Sequence, residues 1–290
     1  MTPKDILLHL RLPFSFFLMP VYWFAISQTP NLDKPKAVWI FIILHILIYP
    51  ASNAYNSYMD QDDESIGGLK NPPKATKRVY YLSIIFDLVG LALSITLNST
   101  FFVLILLYIS ASRAYSYKRI RLKKYPIIGF ITVALFQGGF TYLMVKTSMY
   151  NTFDLHLLYN KEAMIASSLL IGGVYPLTQI YQHEADKRNG DATLSMLLGI
   201  RGTFVFSAIL FGVANLFLML HFISIKKEIH FYIFQLCLLP LVVYFIRWAI
   251  SVWKNNKNAS YENTMRMNTI SSITMSCCFI MILFFNHLYK

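Results

Sequence analysis

The chain has 290 residues, of which 56% are hydrophobic, 16% aromatic and only 14% charged, against the roughly one quarter charged that is usual in soluble domains. That composition excludes an ordinary water-soluble globule and points to a membrane protein. The formal net charge is +12, from 26 Lys+Arg and 14 Asp+Glu, but the cations fall in short gaps between apolar runs, so they read as topology signals and not as a nucleic-acid surface.

Crossing the hydrocarbon core takes about 20 apolar residues, and nine stretches qualify, at 9–27, 37–56, 79–97, 100–112, 126–146, 163–181, 202–224, 230–253 and 268–288. The fourth is short and is expected to extend through Tyr117. The segment ahead of the first, Met1 to Arg11, is too polar for a removable signal peptide and has no small-residue cleavage site. In lipid every backbone amide must be satisfied within its own segment unless a barrel closes, and no ten-residue alternating pattern appears. The expectation is an all-α polytopic bundle of nine transmembrane helices around a central cavity, one domain over residues 1–290. Cys237, Cys277 and Cys278 lie inside apolar stretches without zinc spacing and are expected to pack at lipid depth.

Orientation follows from where the basic residues fall. Lys34, Lys36, Lys146, Lys161, Lys226, Lys227 and Lys290 lie on one face, Arg247 lies within a span, and the remaining 18 of the 26 lie at the N-terminus and in the gaps after spans two, four, six and eight. The N-terminus and even gaps are therefore expected in the cytoplasm, with Lys290 outside.

At the cytoplasmic end of span two stands Asn53-Ala-Tyr-Asn56-Ser-Tyr-Met-Asp60-Gln-Asp62-Asp63-Glu64. On a continuing helix Asn56, Asp60 and Glu64 share one face. Bare charge at the bilayer centre costs roughly 2.5–3.5 kcal/mol, so such a cluster needs a wet site and a compensating cation. Another cluster, Gln182-His183-Glu184-Ala-Asp186-Lys187-Arg188-Asn-Gly190-Asp191, ends span six; Asp186 stands 126 residues after Asp60, and the two clusters hold seven of the 14 acids. Their donors are hard oxygens, which disfavour zinc, copper and iron. Magnesium takes one or two carboxylates and completes its shell with water and substrate phosphate, so facing clusters would hold a diphosphate between them. Arg113, Lys118, Arg119, Arg121, Lys123 and Lys124, after span four, supply cationic donors on the same face. A solvated acidic loop, with the cations as topology markers, is the bland alternative.

Asn56-xxx-Asp60-x-Asp62-x-Glu64 resembles the NDxxDxxxD-type first motif of the UbiA-type intramembrane prenyltransferases, and Gln182-xxx-Asp186-xxx-Gly190 is similar to their second DxxxD motif. Tyr115-Ser116 to Lys124, Arg11-Leu-Pro13 and the nine spans extend the likeness over essentially the whole chain. Glu64 stands in place of the usual last Asp of the first motif, and Gln182 in place of the first Asp of the second. The resemblance implies Mg2+-dependent transfer of an isoprenyl group from a prenyl diphosphate to an aromatic or other lipophilic acceptor, in a membrane such as the bacterial inner membrane. It assigns Asp60, Glu64 and Asp186 to magnesium, with Asn56 and Gln182 orienting. Asp60, Asp186 and Lys123 become the catalytic residues, and Arg121 and Lys187 further partners of the diphosphate. Tyr115 and Tyr181, with Tyr55, Tyr58 and Tyr175, would line an allylic cation, and Asp62, Asp63 or Asp191 would take the proton lost by the acceptor. The rivals are a cation-coupled transporter, which the position of the acids at helix ends disfavours, and another intramembrane magnesium-dependent transferase. Asp87 and Arg247, both costly inside spans, are expected to pair with each other or to line the cavity. His183 is expected to be a hydrogen-bonded interfacial histidine.

Overall fold

The computed structural model describes residues 2–150 and 160–288, so Lys290 lies outside the described residues. Ten helices order the chain: α1 (Pro3–Ser27), α2 (Lys34–Asp60), α3 (Lys77–Leu97), α4 (Ser99–Ser116), α5 (Pro126–Ser148), α6 (Lys161–Val174), α7 (His183–Arg188), α8 (Leu194–Ser224), α9 (Glu228–Lys254) and α10 (Tyr261–Leu288). Eight of them, all except α6 and α7, are long and apolar enough to cross a membrane. The expected sixth span, 163–181, is the one that departs: α6 stops at Val174, a 3-10 turn runs over Pro176–Thr178, and α7 begins only at His183. Pro176 has no amide hydrogen to continue the helical ladder, so an apolar window that looks continuous is broken in space. The rest is an all-α, polytopic membrane bundle, and several helices run beyond their apolar windows because polar residues cap them. Asp33 accepts from the Lys36 amide at 3.0 Å before α2, and Thr193 accepts from Met196 N before α8.

The helices pack in a ring. Neighbours in sequence meet from α2 to α4, α5 lies against α4 and α6, α6 runs along α8, and α8 to α10 continue in order; α10 returns to the Met19–Ser27 part of α1. Where α5 meets α6, a Cβ on Gly138 would lie 2.5 Å from Ser168 Cα, and one on Gly139 2.7 Å from the Met164 carbonyl oxygen. Only glycine permits that backbone approach, the usual way in which membrane helices gain contact without a hydrophobic driving force. α2 and α5 each carry a wide π turn, at Ile43–Ile48 and Leu135–Phe140.

One end of the bundle is closed by aromatic packing. Phe24 stacks on Phe279 with centroids 4.6 Å apart, meets Tyr142 at 5.0 Å, and Phe234 stacks on Phe279 at 6.0 Å. All four rings are almost completely buried. The other end carries both acidic clusters.

Asp87 does not pair with Arg247. Its carboxylate takes Arg113 of α4, whose Nε lies 3.0 Å away and whose guanidinium also sits 3.9 Å from the centre of the Tyr55 ring. α3 and α4 are adjacent, whereas Arg247 is an exposed residue of α9. Cys278 is buried, Cys237 half-buried and Cys277 exposed, all as free thiols.

Candidate active site

The first cluster is fixed by the way α2 ends. Gln61 adopts a left-handed conformation (φ 55°) and its amide bonds back to Ser57 O at 3.1 Å, which stops the helix at Asp60. The one-turn pair survives: Asn56 Nδ2 donates to Asp60 Oδ2 at 2.6 Å and to Ser116 Oγ at 2.9 Å. The expectation that Glu64 shares this face fails, because three non-helical residues, Gln61, Asp62 and Asp63, separate it from Asp60. Glu64 lies half-exposed at the rim, paired with Arg188 of α7.

Arg11 holds the same corner from α1. It too is left-handed (φ 45°), and it is buried. Its Nη1 donates to Gly67 O at 3.1 Å and its Nη2 to Asn53 O at 2.9 Å and Asn56 Oδ1 at 3.2 Å. Sequence reasoning named Arg11 only as part of the family likeness; a cation opening an apolar span was the signal available.

The second cluster depends on α7, a short helix that follows the broken end of α6. Gln182 stands at its N-cap and Asp186 N bonds Gln182 O at 2.8 Å, so the one-turn spacing holds. The Gln182 side chain donates to Ser65 O at 3.2 Å and to Tyr181 Oη at 3.3 Å, tying this cluster to the segment after the first. Gly190 (φ 70°) then reverses the chain: Gly190 N bonds Lys187 O, and Asp191 N bonds Asp186 O at 2.9 Å. This is a Schellman ending, and it returns Asp191 to a buried position 5% exposed. Lys187 points the other way, is exposed, and is absent from the cavity wall. Its expected role as a diphosphate partner is therefore corrected: the helix that directs Asp186 inward directs its successor outward.

The loop after α4 joins the two clusters. Lys123 Nζ lies 2.8 Å from Asp60 Oδ2 and 3.1 Å from Asp191 Oδ2. Arg121, left-handed at φ 45°, forms a fork on Asp191, Nε to Oδ1 and Nη2 to Oδ2, both 2.8 Å. Arg121 stands behind Asp191 and, unlike Lys123, does not line the cavity. Tyr115 and Tyr175 share a hydrogen bond between hydroxyls across the gap between α4 and the end of α6, and both line the cavity, as does Tyr181. Tyr55 is taken up by Arg113, and Tyr58 packs on Tyr80. His183 Nε2 is hydrogen-bonded to Ser195 Oγ at 2.8 Å.

Three of the four non-glycine residues with positive φ among the described residues, Arg11, Gln61 and Arg121, are at this end. Such conformations cost about 1–3 kcal/mol each and persist where surrounding contacts over-determine them, often at functional sites.

Both clusters face one cavity of about 640 Å³. At the mouth it is lined by Arg11, Asn56, Asp60, Asp62, Lys123, Gln182, Asp186 and Asp191; deeper, Phe136, Phe211, Leu238, Leu241, Met275 and Phe279 take over. Two carboxylate oxygens in it, Asp60 Oδ1 and Asp186 Oδ2, are buried without a hydrogen-bond partner, the first with Arg121 Nη2 4.0 Å away. A buried unpaired acceptor normally costs about 1–3 kcal/mol. Burial pushes the Asp186 carboxyl up to about 7, against the pull of Lys123, with Asp191, Asp62 and Asp60 adding to the rise. Burial also lifts Asp62 to about 6, with Asp60 adding. Asp191 goes the opposite way: burial would raise it, but the Arg121 fork and Lys123 hold it below the usual carboxylate range. For Lys123, burial alone would lower the ammonium, and Asp60 and Asp191 outweigh it. Among the described residues no three Asp, Glu, His or Cys side chains converge as a closed metal cage. The donor set fits magnesium nonetheless, since that ion keeps waters and substrate phosphates and needs only one or two carboxylates.

No curated protein sequence matches this chain. In fold it is similar to a UbiA homologue from Archaeoglobus fulgidus whose structure holds GPP and Mg2+ (18% identity, 96% of this chain and 99% of that chain, TM-score 0.70). It is similar also to the apo structure of a UbiA homologue from Aeropyrum pernix K1 (15% identity, 93% and 98%, TM-score 0.72). A third similar structure is a digeranylgeranylglyceryl phosphate synthase (18% identity, 97% and 96%, TM-score 0.60). The model of the UbiA prenyltransferase family matches residues 17–270, both acidic clusters included, and the chain belongs to that family.

Proposed function

We propose that the protein transfers an isoprenyl group from a prenyl diphosphate to a lipophilic or aromatic acceptor, and that the cavity between the acidic clusters is where it does so. The observation that carries this reading is the pair of orphaned oxygens, Asp60 Oδ1 and Asp186 Oδ2, at the mouth of a cavity that turns apolar below them. A charged head and a hydrocarbon tail match that division. The A. fulgidus homologue with GPP and Mg2+ supports the same substrate class here.

Asp60 and Asp186 would hold magnesium, which when bound neutralises the diphosphate as it leaves. Lys123 offers the diphosphate a fixed point charge, and Arg11, whose Nε is buried without a partner, adds a second cation at the mouth. Asn56 and Gln182 orient the carboxylates and the rim segment through the hydrogen bonds given above. As the allylic C–O bond breaks, its electron pair passes to the diphosphate oxygen. Tyr115, Tyr175 and Tyr181 then present ring faces to the remaining cation. Glu64, held by Arg188, closes the rim and is left outside the metal set. Asp191 is committed to two cations and drops out as proton acceptor, which leaves Asp62 and Asp63.

In this reading the whole chain is one domain. α6 with its 3-10 continuation makes a ninth crossing, its broken end supplying the second cluster. The basic bias of the loops puts the N-terminus and the cavity mouth in the cytoplasm, and the bacterial inner membrane suits such a chain.

The test is binding and turnover by purified protein in detergent, given labelled geranyl, farnesyl and geranylgeranyl diphosphates with magnesium. EDTA-reversible binding, with diphosphate release when a panel of lipophilic acceptors is supplied, is the expected result. Failure to bind any chain length would overturn the proposal.

A further inference from the structure

We infer that Asp191 is a positioning residue that aims Lys123 at the diphosphate and is not itself a metal ligand; this rests on the function proposed above. Three observations carry it. The Schellman turn at Gly190 brings the Asp191 backbone onto Asp186 O, so the location of Asp191 is set by the same short helix that presents the second cluster. Both carboxylate oxygens of Asp191 are occupied, Oδ1 by Arg121 Nε and Oδ2 by Arg121 Nη2 and Lys123 Nζ. Asp60 and Asp186, in contrast, each keep one buried oxygen with no hydrogen-bond partner. Asp60 shares Lys123 with Asp191 and has Arg121 Nη2 4.0 Å from its Oδ1, but Asp191 is the carboxylate with both oxygens hydrogen-bonded to cations.

The loop that carries Lys123 needs an anchor. Arg121 sits in the left-handed region, which L-residues avoid, immediately before the turn Leu122–Lys124. A planar fork with both oxygens of a buried carboxylate fixes an arginine in distance and in plane. With Arg121 fixed, Lys123 two residues later has its ammonium between Asp60 and Asp191. A diphosphate entering beside Asp60 meets that ammonium already in place, without the entropic cost of ordering a free lysine.

The test is binding of geranyl diphosphate without acceptor, so that no turnover intervenes, to purified wild type, Asp191→Asn, Lys123→Met and the double variant in detergent. Each titration is run at saturating magnesium, and the magnesium concentration for half-maximal binding is measured separately. Asp191→Asn is expected to raise the Kd for geranyl diphosphate about tenfold, the loss of one charge-assisted hydrogen bond. Lys123→Met should do about the same and the double variant no worse, because one device has been removed twice. The magnesium requirement of Asp191→Asn should stay that of wild type, whereas Asp186→Asn raises it. An unchanged Kd in Asp191→Asn, multiplying effects in the double variant, or a magnesium shift like that of Asp186→Asn would each overturn the inference. If Asp191→Asn does not fold, Arg121→Gln carries the same expectations. Wild type that fails to bind would instead remove the proposed function itself.

Discussion

The two ends of this bundle are built on opposite rules. At the closed end, Phe24, Tyr142, Phe234 and Phe279 pack through ring contacts, and Phe24, Phe234 and Phe279 form the apolar wall of the cavity. At the open end, backbone conformations are unfavourable at Arg11, Gln61 and Arg121, and carboxylate oxygens of Asp60 and Asp186 are buried without partners. One end is built mainly from ring contacts. The other carries unmet demands that a cation and a diphosphate would satisfy, and stability given up at a site is a common signature of function.

Substitutions that exchange those rules should break the comparison. The largest effect is expected from Asp60→Ala and Asp186→Ala, each lowering turnover of a prenyl diphosphate at least about a hundredfold. The melting temperature in detergent should hold steady or rise for Asp186→Ala, since an unpaired buried oxygen is removed. A folded Asp186→Ala protein with wild-type turnover would show that the orphaned oxygens are not a binding device.

Asp87→Ala tests a polar group that is satisfied. It leaves the half-buried Arg113 without its carboxylate and with only Ser83 and the Tyr55 ring as partners, which costs about 3 kcal/mol in denaturant unfolding, while the cavity mouth is untouched. At the closed end Phe279→Ala should cost about 3 kcal/mol or somewhat more. It also deepens the apolar part of the cavity, so preference among geranyl, farnesyl and geranylgeranyl diphosphates should move toward longer donors. An unchanged chain-length preference would mean that the stacked rings are not the cavity floor. The smallest effect belongs to Glu64→Gln. Its exposed pairing with Arg188 is worth about 1 kcal/mol or less, and near-normal magnesium dependence is expected. Loss of activity as severe as in Asp60→Ala would return Glu64 to the metal set.

Much of the open end could be read from spacing alone. Asn56 with Asp60, and Gln182 with Asp186, stand one helical turn apart, and that relation survives because each pair lies within one turn of helix or at its cap. Glu64 leaves the Asn56–Asp60 face because Gln61 ends the helix, and Lys187 is exposed although it directly follows Asp186; neither feature is written in the local spacing. The pairing of Asp87 with Arg113 was equally out of reach, since the cost of a buried charge demands a partner without saying which helix supplies it.

The amino-acid order by itself determined the membrane class, the apolar helices and the two acidic clusters, because hydrophobic run length and local hydrogen bonding act over a few turns. Only the tertiary structure decided that Arg121 and Lys123 close on Asp191, and that Asp60 and Asp186 share a cavity. Those relations join residues 60 to 130 positions apart, and they depend on how helices pack around a space, which no local pattern encodes.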